Sequence, residues 1–514
     1  MLELNNQYTL MKRKIESEVL TAFFNDTLVE NADRLPLEII PKNRTPFRCC
    51  IYKERAMVRY RIMALAGINI ERDDEEAKSL SAYMQEVMDE DKPPLPLLTT
   101  IETGCSGCPK AQYRISDGCR GCFARPCMSN CPKDAIIFIN GQAHIQEDRC
   151  IRCGKCMEVC PFHAVVHIPV PCEEACPVDA VHKNELGHAE IEHDKCIGCG
   201  KCVRSCPFGA IVERSGLFPV AKMLKNGEKV VAMIAPAIAG QFPGTLAQLK
   251  TAMKKLGFYD VVEVAKGAEV TAENESKELT ERLEKGEPFM TTSCCPSYME
   301  LVDIHIPYLK TKYSESLSPM GYTADIVAHD YPDAKSVFVG PCLAKKVEVA
   351  KRYRGKSAGV ITFSELAALF VAKGIDVREM PADDLGDTAA FADCRDFAVT
   401  SGVAGCVMHR YHDDKIPAPR TMSINGLDKK TVRLMKTWER KAPDADLIEV
   451  MACEGGCIAG PGTIVKPALA LKLRAAAASG QTAPVRPVPP RPAAAGAVVK
   501  PAVPPAQGTA PAGK

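Results

Sequence analysis

The spacing of cysteines in the first half of the chain is its most restrictive feature. The pattern C-x2-C-x2-C-x3-C-P occurs twice, as CIRCGKCMEVCP at 150–161 and CIGCGKCVRSCP at 196–207. In such a run three thiolates hold three corners of a 4Fe-4S cubane and the fourth ligates a neighbouring cluster. A zinc site would need only two such pairs. Because little continuous apolar sequence separates Cys105 from Cys206, metal clusters are expected to supply the core of this region.

Two partial runs accompany the complete ones, and the spacing resembles that of bacterial-type ferredoxins. The first, CRGCFARPCMSNCP at 119–132, has a longer middle gap, and PCEEACP at 171–177 keeps only the last two cysteines. The ferredoxin crossover rule then predicts three cubanes, and CSGC at 105–108 would complete a fourth. The four predicted ligand sets are Cys150, Cys153, Cys156 and Cys131; Cys119, Cys122, Cys127 and Cys160; Cys196, Cys199, Cys202 and Cys176; and Cys172, Cys206, Cys105 and Cys108. Alternatively, Cys105, Cys108, Cys119 and Cys122 form one separate site.

Charge and hydropathy exclude several classes of partner. Lys+Arg of 65 against Asp+Glu of 64 leaves a formal charge of +1, which offers no electrostatic basis for binding nucleic acid or a membrane surface. The apolar run VVAMIAPAIAG from Val230 is too short to span a bilayer, and the N-terminus lacks an apolar signal core. We therefore expect a cytoplasmic protein, in which 25 cysteines serve metal or redox chemistry instead of disulfides.

Changes in composition divide the chain into four parts. Residues 1–95 predict a helical segment, in which Cys49 and Cys50 are expected to be packed thiols, and residues 96–215 carry the cysteine array. Residues 216–470 alternate amphipathic segments with the apolar runs VVAMIAP, YDVVEVA, SVFVGP, RDFAVTSG and DLIEVMA, which is an α/β pattern. Residues 471–514 are Pro/Ala-rich and predict a disordered tail. The predicted fold class is a multidomain α+β and α/β protein.

Four cysteines of the α/β part follow predicted strands. FMTTSCC, VFVGPC and IEVMACEGGC place Cys295, Cys342, Cys453 and Cys457 beyond strand ends, where functional residues of open α/β folds gather. They are therefore expected to converge as four thiolate ligands from three loops. A zinc site would satisfy the same count, but it would leave Cys294 and the lysine of PCLAKKVE without a role.

The three motifs TSCCP, PCxxKxxE and MACxxGCxxG resemble the signatures of the iron-only (FeFe) hydrogenases, and with the ferredoxin-like region the similarity covers about residues 105–465. The resemblance implies a two-lobed α/β catalytic domain. It also implies that Cys295, Cys342, Cys453 and Cys457 hold a further 4Fe-4S cubane. Cys457 would bridge this cubane to a two-iron centre that carries CO and cyanide, and Lys345 would donate a hydrogen bond to a cyanide.

The resemblance further implies a proton route from the active site to the surface. Cys294 matches its first member, and Ser314 in KTKYSESLSP lies at the expected distance. Glu275 and Glu278, in AEVTAENESKEL, take the places of the two glutamates, although this alignment needs a one-residue gap before Gly286. Glu348 completes PCxxKxxE and is also assigned to the catalytic set.

Several positions depart from the family pattern. The departures are Tyr298 for the usual Trp, Gly340 for Met before PC, Ala237 for Ser, Met320 for Gln and GPGTI for GGGQP. These positions line or support the two-iron pocket in the family, so they indicate a divergent branch and bear on rate and direction.

The resemblance implies reversible conversion of protons and electrons to H2. The implied partners are a ferredoxin or similar soluble carrier and hydrogenase maturation proteins. An assembly protein would need the cubane cysteines but not Cys294, Lys345 or the glutamates, whereas an H2 sensor would carry a signalling domain, which we do not expect after residue 471. Cys394 and Cys406 lie outside every motif and are expected to be packed thiols.

Overall fold

The computed structural model describes residues 6–72, 77–91, 95–110, 112–353, 355–383, 386, 390–412, 418–478 and 497–498. Among these residues no helix combines the length and the apolar character needed to cross a bilayer. The helices, in chain order, are α1 (Gln7–Phe24), α2 (Leu28–Asn31), α3 (Leu35–Ile39), α4 (Ile51–Leu65), α5 (Leu80–Asp89), α6 (Pro126–Ser129), α7 (Lys155–Glu158), α8 (Pro171–Ala175), α9 (Lys201–Ser205), α10 (Leu217–Lys225), α11 (Leu246–Leu256), α12 (Val264–Glu284), α13 (Pro296–His305), α14 (Pro319–Asp330), α15 (Ala344–Arg352), α16 (Phe363–Ala372), α17 (Gly402–Met408), α18 (Lys429–Thr437) and α19 (Pro467–Ala478).

The strands are short in the cysteine-rich part and longer after it. In chain order they are β1 (Leu98–Thr100), β2 (Gln112–Ile115), β3 (Ile136–Ile139), β4 (Gln142–Ile145), β5 (Val165–Ile168), β6 (Val181–Lys183), β7 (Ala189–Ile191), β8 (Ile211–Glu213), β9 (Val230–Ile234), β10 (Asp260–Glu263), β11 (Met290–Thr291), β12 (Lys335–Gly340), β13 (Gly359–Thr362), β14 (Thr421–Asn425), β15 (Leu447–Met451) and β16 (Ala497–Val498).

Two parallel sheets form the lobes of the α/β part. The first has the strand order β10-β9-β12-β13, and the second has the order β11-β15-β14-β16. All residues of the central strands β9 and β15 are buried, because helices cover both faces of such sheets. In each sheet the central strands are parallel, so their carboxyl ends lie at one edge, as in other open α/β folds. The mixed α+β and α/β architecture predicted from the sequence is confirmed.

The N-terminal helices share a continuous hydrophobic core with the first lobe. α1 packs against α16, and the ring of Phe23 meets that of Phe218 edge to face at 5.5 Å between centroids. Ion pairs lie at the same junction, with Lys12 Nζ 2.9 Å from Glu213 and Lys346 Nζ 3.1 Å from Glu365. These contacts tie the N-terminal helices, the first lobe and the end of the cysteine-rich part together.

The cysteine-rich part consists of small antiparallel pairs, β2 with β5, β3 with β4 and β6 with β7. β1 pairs with β8 and so joins the two ends of this part of the chain. Its apolar side chains form two small clusters in which cysteines are interleaved. The little apolar surface that it buries agrees with the expectation that metal clusters complete its core.

The structure corrects three expectations from the sequence. RDFAVTSG contains a 3-10 helix, Cys394–Ala398, and not a strand, and this helix packs against α12 and α17. Cys49 is exposed and Cys50 is half-buried, and the Cys50 sulfur accepts the Lys53 N–H as the N-cap of α4, so neither is a packed core thiol. α19 continues to Ala478, past the expected tail boundary at residue 471. The rest of that tail, apart from β16, lies outside the described residues.

Candidate active site

A largely apolar cavity lies where the carboxyl ends of strands from both lobes meet. Loops after β9, β11, β12 and β15 form its walls, together with parts of α12, α14, α15 and the 3-10 helix Cys394–Ala398. The residues of the wall that carry reactive side chains are Cys199, Cys294, Cys295, Cys342, Lys345, Cys453 and Cys457. The structure therefore brings the cysteines of all three sequence motifs to one cavity.

Four of these thiols offer a donor set for a metal cluster. Cys295 is the N-cap of α13, Cys342 follows β12, and Cys453 and Cys457 flank a turn after β15. Burial raises the pKa of Cys342 to about 12, and the neighbouring Cys295 adds to the shift. Burial, Cys342 and Cys295 likewise raise the pKa of Cys457 to about 12. Four converging sulfurs in a buried site need a cationic centre to become thiolates, and a 4Fe-4S cubane fits this donor set.

Cys294 has a different environment from its neighbour Cys295. Burial and the carboxylate of Glu275 raise the pKa of the Cys294 thiol well above its ordinary value. Glu275 is fully buried, and its Oε1 accepts the Ser293 N–H at 3.2 Å, while its Oε2 has no hydrogen-bond partner in the described part of the chain. Burial raises the pKa of Glu275 to about 8, and the charge of Glu278 adds to the shift. Both groups are therefore neutral and carry protons at neutral pH.

Beyond Glu275 a chain of polar groups leads outward along α12. Ser314 Oγ donates to Glu278 Oε2 at 2.6 Å, and the Glu315 N–H donates to the same carboxylate at 3.1 Å. The Arg282 guanidinium binds Glu278 Oε1 at 2.7 Å. Ser314 is buried, Glu278 is half-buried and Glu315 is exposed, so the groups rank from inside to outside.

Lys345 projects from the first turn of α15 into the cavity wall. Its Nζ lies 2.5 Å from Glu348 Oε2 and donates to Ser318 Oγ at 3.1 Å. Although burial lowers the pKa of Lys345, the charge of Glu348 outweighs that effect and leaves the pKa above its ordinary value. Lys345 is thus a fixed cationic donor in a dry wall, and Glu348 is the group that holds it there.

The departures from the family pattern lie in or against the cavity. Ala237 and Met320 are in its wall and present apolar groups. A Cβ on Gly340 would lie 2.3 Å from the Phe338 ring, so the aromatic side chain of Phe338 occupies the space that a side chain at position 340 would need. Tyr298 is fully buried, and its hydroxyl is 2.8 Å from Thr291 Oγ1.

Two of the ferredoxin-like cysteine sets occupy one half of the cysteine-rich part. Cys131, Cys150, Cys153 and Cys156 line a single small cavity between α7 and β3. Burial raises the pKa of Cys127, and Cys160, Cys122 and Cys119 add to that shift as close neighbours. Both groupings agree with predicted ligand sets.

The other two sets lie nearer to the catalytic lobes. Burial raises the pKa of Cys202 well above its ordinary value, with Cys199, Cys196 and Cys176 as further neighbours. Cys199 of this set also lines the active-site cavity.

The fourth set comes together around Cys206. Burial raises the pKa of Cys108, with Cys105 and Cys206 adding to the shift. Burial raises the pKa of Cys172 to about 11, and Cys206 is again a contributor. The structure therefore places Cys105 and Cys108 close to Cys206.

Sequence reasoning missed several residues of the site. Phe338, Phe397 and Ala398 line the cavity, and Ser293, Ser318 and Arg282 bind the titratable groups around it. On β12 a large residue, Phe338, is followed two positions later by a small one, Gly340. This pairing is a sequence signal that could have identified Phe338. Ser293 lies inside the TSCCP motif, whereas the others carry no local pattern, because helix packing and loop geometry bring them to the site.

Three family descriptions match consecutive parts of the chain. "Iron only hydrogenase large subunit, C-terminal domain" matches residues 228–461, "LdpA Fe-S cluster-binding domain" matches residues 166–217, and "4Fe-4S binding domain" matches residues 143–166. The catalytic part and the cysteine-rich part of the sequence thus match iron-sulfur protein families independently.

Two hydrogenases and one solved structure are similar to parts of this chain. The periplasmic [Fe] hydrogenase large subunit of Nitratidesulfovibrio vulgaris is 31% identical over 395 residues, which cover 65% of this chain and 88% of that protein. Iron hydrogenase 1 of Clostridium pasteurianum is 27% identical over 308 residues, and the matched part spans only 53% of that protein. A solved structure of the apo [FeFe]-hydrogenase from Chlamydomonas reinhardtii is 22% identical, with a TM-score of 0.41, and the match covers 49% of this chain and 83% of that one.

Proposed function

Since this chain belongs to the iron-only hydrogenase family, we propose that it interconverts H2 with protons and electrons at the cavity between its two lobes. The observation that carries the proposal is the shared wall of that cavity, which contains Cys294, Cys295, Cys342, Lys345, Cys453 and Cys457. Neither a zinc site nor a structural cubane would need a free thiol and a fixed lysine beside the four ligands.

Four thiols of the wall would hold the catalytic cofactor. Cys295, Cys342, Cys453 and Cys457 would ligate a 4Fe-4S cubane, and Cys457 would also bridge to a two-iron centre with CO and cyanide ligands. When bound, this cofactor supplies the metal site at which H2 forms or splits. Lys345, oriented by Glu348 and Ser318, would donate to a cyanide, since an anionic ligand in a dry pocket needs a fixed donor.

The chain's own residues would then move the proton. Cys294 would hold a proton at its Sγ facing the cavity, and Glu275 would exchange protons with it. Ser314 would link Glu275 to Glu278, whose half-buried carboxylate opens toward solvent beside Arg282. The raised pKa of Glu275, about 8, supports this assignment because a relay carboxyl must both keep and release a proton near neutral pH.

The cysteine-rich part would carry the electrons. Its four thiol sets would hold four 4Fe-4S clusters, and the set with Cys199 would be the last before the active site, since Cys199 lines the cavity. A ferredoxin or a similar carrier would exchange electrons with the outer clusters, and maturation proteins would insert the two-iron centre. We place the protein in the cytoplasm, although one relative is named a periplasmic enzyme.

Infrared spectroscopy tests the proposal. The full chain, produced together with hydrogenase maturation proteins and purified without oxygen, should show bands of metal-bound CO and cyanide and should evolve H2 from a reduced carrier. Cys457→Ser should remove both the bands and the turnover, because a serine oxygen is a poor bridge between iron atoms, while the ferredoxin-like clusters remain visible by electron paramagnetic resonance. A parent protein that lacks the bands after such production would reject the proposal.

A second function, an H2 sensor with little turnover, is favoured by one observation. Ala237 and Met320 place apolar groups in the wall where the family usually has Ser and Gln, which removes polar contacts to the cofactor. A sensor would show the infrared bands with turnover far below that of catalytic relatives. An assembly protein would show neither the infrared bands nor H2 turnover.

A further inference from the structure

A pair of buried cysteines outside every motif lies next to the candidate active site. The sulfurs of Cys394 and Cys406 are 3.1 Å apart, and the two residues are 0% and 2% exposed. Cys394 begins the 3-10 helix Cys394–Ala398, and Cys406 lies in α17. A disulfide has an S–S length of about 2.0 Å, so closure requires the sulfurs to approach by about 1 Å.

The contact with Cys406 and burial raise the pKa of the Cys394 thiol, whereas the charge of Arg410 lowers it. Arg410 donates to Cys406 Sγ and to Cys394 Sγ, each at 3.0 Å, and also forms an ion pair with Asp393 at 2.9 Å. A guanidinium that binds both sulfurs favours the anionic form that attacks a disulfide. His409 Nδ1 lies 3.7 Å from the same Asp393 carboxylate.

The same contacts argue against a metal ion. Asp393, Cys394 and Cys406 could offer three ligand atoms within 4.8 Å of one another. Two thiolates on a tetrahedral zinc ion lie about 3.8 Å apart, given Zn–S bonds of about 2.3 Å, so zinc binding would require the sulfurs to separate by about 0.7 Å. Arg410 would also place its positive charge against the cation.

We propose that Cys394 and Cys406 are a redox-active pair that forms a reversible disulfide by exchange with a low-molecular-weight disulfide. One thiolate attacks the small disulfide and releases one small thiol; the second thiolate then attacks the mixed disulfide and releases the other. Two cysteine thiols are oxidised, one small disulfide is reduced to two thiols, and the two protons of the cysteines go to those thiols. A small dithiol reverses the reaction.

The disulfide would change the wall of the cavity. Phe397 and Ala398 belong to the same 3-10 helix as Cys394 and line the cavity. The end of this helix also contacts the loop of the third motif closely. A Cβ built on Gly456 of that loop would lie only 2.7 Å from the carbonyl oxygen of Ala398. A shift of Cys394 toward α17 would therefore be transmitted to the cavity and to Cys294 inside it.

The chemical step is tested on the full chain with its clusters assembled, under anaerobic conditions. The protein is equilibrated in mixtures of oxidised and reduced dithiothreitol, quenched in acid, alkylated, digested and analysed by mass spectrometry. A peptide that links Cys394 to Cys406 should appear as the ratio becomes oxidising and disappear when it is reversed. In Cys394→Ser and in Cys406→Ser the linked peptide should be absent and the remaining thiol should be alkylated.

Two results would overturn the chemical step. One is the absence of the linked peptide at ratios that oxidise the exposed Cys49, which serves as the accessible control. The other is a zinc ion bound in stoichiometric amount by the parent and lost in Cys406→Ser, which would make the group a metal site.

The coupling to the cavity has a readout that does not depend on H2 turnover. The rate at which iodoacetamide labels Cys294 should change several-fold between the reduced and oxidised parent, and it should not respond to the redox buffer in Cys394→Ser. An equal response in parent and variant, or a constant rate in the parent, would overturn the coupling. Failure of the hydrogenase proposal would leave both measurements interpretable.

Discussion

At the scale of single residues, Cys294 and Cys295 are neighbours with different predicted tasks. Cys295 lies with three other thiols, whereas Cys294 lies beside Glu275 and keeps a proton. Cys294→Ala should therefore leave the infrared bands intact and lower H2 production by orders of magnitude, because a methyl group cannot carry a proton. Cys294→Asp should recover part of the activity, and Cys295→Ala should prevent stable assembly. Full activity in the alanine variant at 294, or loss of its cubane, would contradict this division.

Glu275 should make the stability of the protein depend on pH. Its folded-state pKa of about 8 lies above the ordinary 4.5, so between these values the folded chain binds more protons than the unfolded chain. Stability should therefore fall as pH rises from about 5 to about 8. Glu275→Gln removes this pH-dependent contribution to stability. The apparent unfolding temperature of the variant should therefore increase relative to that of the parent as the pH rises over the same range. Circular dichroism at a series of pH values measures the difference, and a constant gap would argue that Glu275 is charged in the folded state.

At the scale of elements, β12 ends at Gly340, and the ring of Phe338 occupies the space that a side chain at this position would need. A Cβ at Gly340 would lie 2.3 Å from Phe338 Cε1 and 2.6 Å from its Cζ. Gly340→Ala should destabilise the protein by about 1–3 kcal/mol through overpacking. Combining it with Phe338→Leu should restore part of the loss. Denaturant unfolding of the three variants measures the coupling, and additive effects would show that the two positions do not share this space.

The elements also show which signals a sequence contains. VVAMIAP, YDVVEVA, SVFVGP and DLIEVMA became β9, β10, β12 and β15, because buried parallel strands read as continuous apolar runs. RDFAVTSG has the same composition, yet Cys394 and Phe397 pack against helices, and composition alone does not distinguish the two outcomes. GVIT and TMSIN, which form β13 and β14, are too short and too polar for the same signal.

At the scale of the whole molecule, the spacing of cysteines predicted the thiols of the site better than it predicted the residues that hold and orient the site. The cysteine motifs anticipated the thiols that share the active-site cavity and the four that share the small cavity between α7 and β3, while the complete ligand sets stay predictions. Arg282 and Ser318 reach the same region only through tertiary packing, and no spacing rule marks them. The N-terminal helices were placed as a separate segment, but their apolar faces complete the core of the first lobe.

Cys199 is where the cysteine-rich part meets the cavity, and it allows the electron path to be tested in the whole protein. It lies with Cys176, Cys196 and Cys202 and also lines the active-site wall near Cys453. Cys199→Ala should remove the last predicted relay cluster, so H2 production from a reduced carrier should fall at least about tenfold, which corresponds to about 1.4 kcal/mol in the barrier. Exchange between D2 and protons needs no external electrons, so mass spectrometry should show it retained. Cys49→Ala, an exposed thiol outside every set, should leave both activities unchanged. Equal loss of both activities in Cys199→Ala would mean that this thiol supports the active site itself, and retention of both would mean that electrons enter by another route.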